Sequence, residues 1–162
     1  MLILADSGIL LRLLERTDPL HGTVRQAVRV ILARGDELVI SLQNVSEFWN
    51  GCTRPSSSRG GYGLDVAETD RRARVLERLF QIRADHPDTY QRWRRLVVTH
   101  SVKGKQVHDC RIAAFMQAHG LTHILTLNGA DFARYPDITV LDPASVVPPL
   151  PTPSPPPTPP PV

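Results

Sequence analysis

The stretch Leu2-Ile3-Leu4-Ala5-Asp6-Ser7 sets the reading of the whole chain. Four apolar residues in a row are too short for a helix and lack the alternation of a half-solvated strand. They read as a buried central strand. The acid that follows at once lies at the strand's carboxyl end, where open parallel sheets bind their ligands. The same pattern returns three times. Leu38-Val39-Ile40 leads to Glu47, Val107-His108 opens an amphipathic stretch at Asp109, and Ile124-Leu125-Thr126-Leu127 leads to Asn128 and Asp131.

Working outward, apolar runs alternate with helical stripes. Ser7 is placed to cap a first helix carrying Ile9, Leu10, Leu13 and Leu14, closed by Thr17-Asp18-Pro19. Thr23 begins a second helix, with Val24, Ala27, Val28, Ile31 and Leu32 on one stripe and Gly35 as its stop. Leu38 to Ser41 is a second strand and Gln43 to Thr53 a third helix, broken at Arg54-Pro55. Ser56 to Gly63 reads as a mobile surface loop. Asp65 to Arg78 is a charged helix, Leu79 to Ile82 a third strand, and Pro87 starts a helix through Tyr90, Trp93, Leu96 and Val97. Val107 to His119 is amphipathic and ends at Gly120, with strands at Ile124 to Leu127 and Thr139 to Leu141. This rhythm predicts an α/β fold of three layers: a central, mostly parallel sheet of about five strands with helices on both faces.

Composition bounds the function. The chain has 162 residues, 41% apolar and 22% charged, which suits one domain over residues 1–147 with a proper core. Residues 148–162, PPLPTPSPPPTPPPV, cannot bury apolar area and read as a disordered, extended tail. The formal net charge is +3, with dense positives at Arg71-Arg72-Ala73-Arg74 and Arg92-Trp93-Arg94-Arg95. That fits a polyanionic partner, although a solvated helix face explains any one cluster better. Two cysteines, Cys52 and Cys110, make no disulfide framework and suggest a reducing compartment. With no leader-like or membrane-length run, the expectation is a cytoplasmic protein without a membrane partner.

The four acids project to one edge of the predicted sheet. Glu47 lies about one and a half turns into the helix after strand two, and Asp109 sits in the first turn of its own helix. Each has a plainer role. Asp6 suits a helix cap, Asp109 a dipole-favoured first turn, Asn128-Gly129 a turn, and Asp131 a cap for Phe132-Ala133-Arg134. Their joint convergence is what argues for chemistry. Hard cations such as Mg²⁺ and Mn²⁺ take carboxylate oxygens, and no Cys/His spacing here suits zinc. A carboxylate-held cation beside basic side chains points to phosphodiester hydrolysis.

Leu2 to Ser7, Asn44-Val45-Ser46-Glu47-Phe48, Val107 to Ala114 and Leu125 to Phe132, in this order and separation, resemble the four acidic blocks of PIN-domain ribonucleases. Among these the chain is most similar to the VapC-type toxins of bacterial toxin–antitoxin pairs, over residues 1 to about 145. The resemblance implies an endoribonuclease dependent on Mg²⁺ or Mn²⁺, acting on tRNA, rRNA or mRNA, neutralised by a cognate antitoxin and commonly a homodimer. It implies Asp6, Glu47, Asp109 and Asp131 as catalytic metal ligands, with Ser7 and Asn128 as polar contacts. Arg54, Arg59, Lys103, Lys105 and Arg111 are candidates for holding RNA. Gly8 departs from the family, which often has Asn or Ser there, so Ser7 must supply any hydroxyl. Two alternatives stand beside this reading. One is another hydrolase with an Asp after strand one, of the haloacid-dehalogenase or response-regulator kind. Gly8 stands where the former needs a second Asp, and the chain has no acidic pair for the latter. The other is a weakly active or inactive PIN-fold protein that works by binding RNA or an antitoxin.

Overall fold

The computed structural model describes residues 1–147, and the proline-rich tail lies outside the described residues. The chain runs β1 (Leu2–Ala5), α1 (Ser7–Leu14), α2 (His21–Ala33), β2 (Glu37–Ser41), α3 (Leu42–Thr53), α4 (Val66–Leu79) and β3 (Gln81–Arg83). It continues through α5 (Thr89–Thr99), α6 (Gln106–Ala118), β4 (His123–Leu125), a 3₁₀ turn at Gly129–Phe132, β5 (Thr139–Leu141) and α7 (Pro143–Val146). The strands lie in the order β3-β2-β1-β4-β5, and every neighbouring pair is parallel. The three-layer α/β reading is therefore correct.

Strand periodicity sorts the apolar side chains into two cores. Side chains alternate faces along a strand. Ile3, Ala5, Leu38, Ile40 and Leu125 pack with α1, α2, α3 and α4 residues such as Ile9, Val24, Phe48 and Leu76. Leu4, Val39 and Ile124 face the other way, against Ile112, Phe115 and Met116 of α6. Trp93, Leu96 and Val97 of α5 are half-buried and pack against this second core.

Local boundaries differ from the sequence reading at places that matter. Leu79 ends α4, Phe80 is its C-cap, and β3 begins only at Gln81. The apolar side chains of Leu79 and Phe80 serve the helix end, not a strand. Ser7 is the first residue of α1, and Asp6 caps that helix by accepting the Ser7 N–H at 2.7 Å. α3 starts with a reciprocal cap. Ser41 Oγ accepts the Asn44 N–H at 3.1 Å, and Asn44 Oδ1 accepts the Ser41 N–H at 3.0 Å. β4 stops at Leu125, so Thr126 and not Asn128 is the residue that directly leaves the strand.

The segment predicted as a mobile loop is stitched to the end of α3. The N–H groups of Tyr62, Gly63 and Leu64 donate to the carbonyls of Gly51, Arg54 and Cys52 at 3.0, 2.8 and 2.8 Å. A Cβ on Gly61 would stand 2.3 Å from the Pro55 carbonyl oxygen, so only glycine lets the two backbones approach. Among the described residues no helix is long and apolar enough to cross a membrane.

Candidate active site

The strand order places the site. β1 is central, with β2 on one side and β4 on the other, so connections diverge from it and open a crevice at its carboxyl end. Asp6 leaves β1 into that crevice, and its N–H still donates to the Leu125 carbonyl of β4 at 3.0 Å. Both of its carboxylate oxygens are engaged. Oδ1 accepts the Ser7 N–H at 2.7 Å, and Oδ2 accepts the Thr126 hydroxyl at 2.7 Å. These bonds favour the ionised form, yet burial outweighs them and raises the Asp6 pKa, with the charge of Glu47 adding to the rise.

Glu47 projects from the second turn of α3. Its Oε2 accepts the Ser7 hydroxyl at 2.7 Å, and the same hydroxyl stands 3.3 Å from Asp6 Oδ1. Ser7 thus bridges two carboxylates. A Cβ on Gly8 would itself lie 3.9 Å from Asp6 Oδ2, so a side chain at that position also borders the site. Glu47 Oε1 accepts from the Gln43 amide at 2.8 Å, one helical turn earlier.

Asp109 lies in the first turn of α6, where the helix dipole favours an anion. Its pKa is nevertheless pushed up to about 6. Burial is the main cause, followed by the charges of Asp131, Asp6 and Glu47, against a smaller opposing effect of His108. All four carboxylates therefore share one electrostatic environment, drawn from β1, α3, α6 and the turn after β4. None of the four forms an ion pair among the described residues.

Asp131 sits inside the 3₁₀ turn and its N–H donates to the Asn128 carbonyl at 3.0 Å. Asn128 is exposed, and its N–H donates to Thr126 Oγ1 at 3.0 Å. Thr126 is the residue that sequence reasoning passed over. It is fully buried, and it joins Asp6 to the turn that carries Asp131. Taking Ile124 to Leu127 as one strand hid it. A polar residue ending an apolar run next to an acid was the available signal.

The basic candidates separate. Lys103 and Lys105 are exposed on the turn that leads into α6, close in sequence to Asp109. Arg111 is committed to protein partners: it donates to Gln43 Oε1 at 2.7 Å and forms an ion pair with Asp85. Gln43 therefore links Arg111 to Glu47, and it also donates to the His108 carbonyl at 3.0 Å. Arg54 caps the far end of α3, about 10 Å beyond Glu47 by helix rise, and donates to the Arg59 carbonyl. Arg54 and Arg59 therefore organise the loop at that end and are not brought to the carboxylates.

The donor set is all-oxygen: four carboxylates and two hydroxyls. That chemistry fits a hard divalent cation of the Mg²⁺ or Mn²⁺ type. Among the described residues no three acidic, histidine or cysteine side chains are already drawn onto one point. The Ser7 hydroxyl ties Glu47 to Asp6, and the neighbouring acids add to the effect of burial in raising the Asp109 pKa.

The fold and this crevice define a class. The PIN-domain profile matches residues 3–138, and the chain belongs to the PIN domain family. Solved structures agree. A VapBC2 complex from Rickettsia felis bound to a promoter DNA fragment matches with a TM-score of 0.65 at 14% identity, covering 87% of this chain and 98% of that one. The sarcin–ricin-loop-cleaving toxin VapC20 of Mycobacterium tuberculosis matches with a TM-score of 0.61 at 18% identity, covering 82% and 95%. A toxin–antitoxin complex from Klebsiella pneumoniae matches with a TM-score of 0.59 at 25% identity, covering 87% and 97%. No curated protein matches the chain by sequence.

Proposed function

We propose that this protein is a divalent-metal-dependent endoribonuclease and the toxin of a toxin–antitoxin pair. The observation that carries the proposal is the convergence of Asp6, Glu47, Asp109 and Asp131 from four separate elements, without an ion-paired arginine or lysine among them. Family membership and the likeness to toxins of the VapC kind support the same reading.

Asp6 and Asp109 would hold Mg²⁺ or Mn²⁺ directly, with Glu47 and Asp131 completing the site directly or through water. The cation supplies activation of water and neutralisation of charge growing on the phosphate. The protein's own side chains do the positioning. Thr126 and Ser7 fix the two oxygens of Asp6, Ser7 and Gln43 fix the two of Glu47, and the α6 dipole supports Asp109 as an anion. Asn128 contributes through its backbone, holding Thr126. Lys103 and Lys105, exposed on the turn before Asp109, would meet the RNA backbone. The partners are RNA (tRNA, rRNA or mRNA), a cognate antitoxin and, in the family's manner, a second copy of the chain.

The test is cleavage of total RNA with Mn²⁺, with and without chelator, by the wild type and by Asp6→Asn. The expected outcome is chelator-sensitive cleavage by the wild type and at least a hundredfold loss in the variant. RNA binding that survives in the wild type without any turnover would instead establish the binding-only alternative.

A further inference from the structure

Against the start of α5 and Arg111 of α6 lies a recess of about 360 Å³, lined by Asp85, His86, Thr89, Tyr90, Trp93 and Arg111, among others. Two independent links tie the recess to the acidic crevice. Trp93 Nε1 donates to the Val107 carbonyl at 3.0 Å, which fixes the indole against the first turn of α6, two residues before Asp109. On the other side, Arg111 reaches Glu47 through Gln43, by bonds of 2.7 and 2.8 Å.

The walls are aromatic and the polar groups are planar. Tyr90 and Trp93 stand with ring centroids 6.1 Å apart at 40°, and Tyr90 is 66% exposed. The Arg111–Asp85 pair sets a guanidinium and a carboxylate on the same lining. Thr89 is buried and its hydroxyl has no partner among the described residues. Tyr90 also borders a second recess with Arg94 and Arg95, both exposed and neither ion-paired among the described residues. A ring for stacking, planar hydrogen-bonding groups and adjacent unpaired arginines together match the requirements for an unstacked base and its phosphates.

We infer that the Tyr90–Trp93–Arg111 recess binds one unpaired nucleobase of the RNA next to the scissile phosphate. This rests on the ribonuclease reading above. The Arg94–Arg95 face takes the flanking backbone. Arg111 therefore serves the substrate through its planar face while its nitrogens hold Gln43 and Asp85. The recess selects for a single-stranded segment, because a base held in a duplex cannot turn into it.

Fluorescence anisotropy tests this with Ca²⁺ replacing Mn²⁺ and two labelled probes: a short mixed-sequence oligoribonucleotide and an abasic oligomer of the same backbone. The proteins are full-length wild type, Tyr90→Ala and Tyr90→Phe. The exposed position of Tyr90 spares the core. The wild type should prefer the base-bearing probe by roughly fivefold to a hundredfold, the range for one stacked base. Tyr90→Ala should lose that preference and Tyr90→Phe should keep it. Equal binding of both probes by the wild type, or an undiminished preference in Tyr90→Ala, overturns the inference. So does a loss in Tyr90→Ala that is the same on both probes, or that accompanies only a change in sedimentation from dimer to monomer. Failure of the ribonuclease reading itself would show separately, as the absence of Mn²⁺-dependent cleavage by the wild type.

Discussion

Asp6 shows how one residue carries two roles that the sequence presents as rivals. It caps α1 through Ser7 N–H, and it also stands in the crevice with Thr126 and Glu47. Asn caps helices as well as Asp, so Asp6→Asn removes charge without removing the cap. Asp109 is the cleaner electrostatic probe. Its folded pKa of about 6 lies above its ordinary value of 3.8, so the fold holds its proton more tightly than the unfolded chain does. Ionising it therefore costs stability; the cost is absent below about pH 4 and complete above about pH 6. Asp109→Asn should melt higher than the wild type at pH 8 in chelator, by about 1 kcal/mol once solvent screening of a half-buried group is allowed for. The difference should close as pH falls toward 4, which differential scanning fluorimetry across pH will check. Thr126→Val keeps the shape but removes the donor to Asp6. It should weaken Mn²⁺ affinity and cleavage by roughly tenfold to a hundredfold, the usual effect of losing a bond that orients a metal ligand.

At the scale of elements, short connections aim the site. The turn after β4 carries both Thr126 and Asp131, and it packs closely on β5: a Cβ on Gly129 would lie 2.8 Å from Val140 Cγ1. Val140 is β-branched and held in a strand, so it yields little. Gly129→Ala should cost about 1–3 kcal/mol by overpacking and should reduce cleavage by displacing Asp131. Thermal melting and Mn²⁺-dependent turnover, measured on the same preparation, will show whether both fall. A melt unchanged from wild type would mean that the turn is free to shift. α3 is aimed differently, through the reciprocal Ser41–Asn44 cap at its start and the Gln43 contact to the His108 carbonyl, which joins it to α6. These contacts set the direction in which Glu47 leaves its helix.

For the whole molecule, the charge balance hides an internal division. Setting aside the four crevice acids leaves 12 of the 16 acidic side chains against 19 basic ones. Part of that excess is spent within the fold: Arg72 pairs with both Glu15 and Glu68, where the Thr17 hydroxyl and then Arg72 keep Glu15 below the usual carboxylate range, and Arg71 and then Arg72 do the same for Glu68. The exposed remainder, including Arg94, Arg95, Lys103 and Lys105, faces solvent. RNA affinity should therefore fall steeply with salt. With about three to five phosphates neutralised, log K should drop with log salt at a slope of about −2 to −3.5. A salt titration of RNA anisotropy measures it, and a slope near zero would place the RNA away from these bases.

What could be read in the chain was local. Apolar runs at Leu2 to Ala5 and Leu38 to Ile40 announced buried strands, and acids beyond them announced charge gathered at the carboxyl edge of the sheet. Both depend only on side-chain type and spacing. Arg111 was read from the sequence as an RNA contact, but nothing local showed that its nitrogens are also tied within the fold, because its partners Gln43 and Asp85 are 68 and 26 residues away. Thr126 is separated from Asp6 by 120 residues, and no local pattern relates them. The strand order β3-β2-β1-β4-β5 decided those meetings. Local propensity selects each element, but only the pairing of β1 with both β2 and β4 brings distant polar atoms within bonding reach. It also removes the water that would otherwise keep Asp109 an ordinary acid.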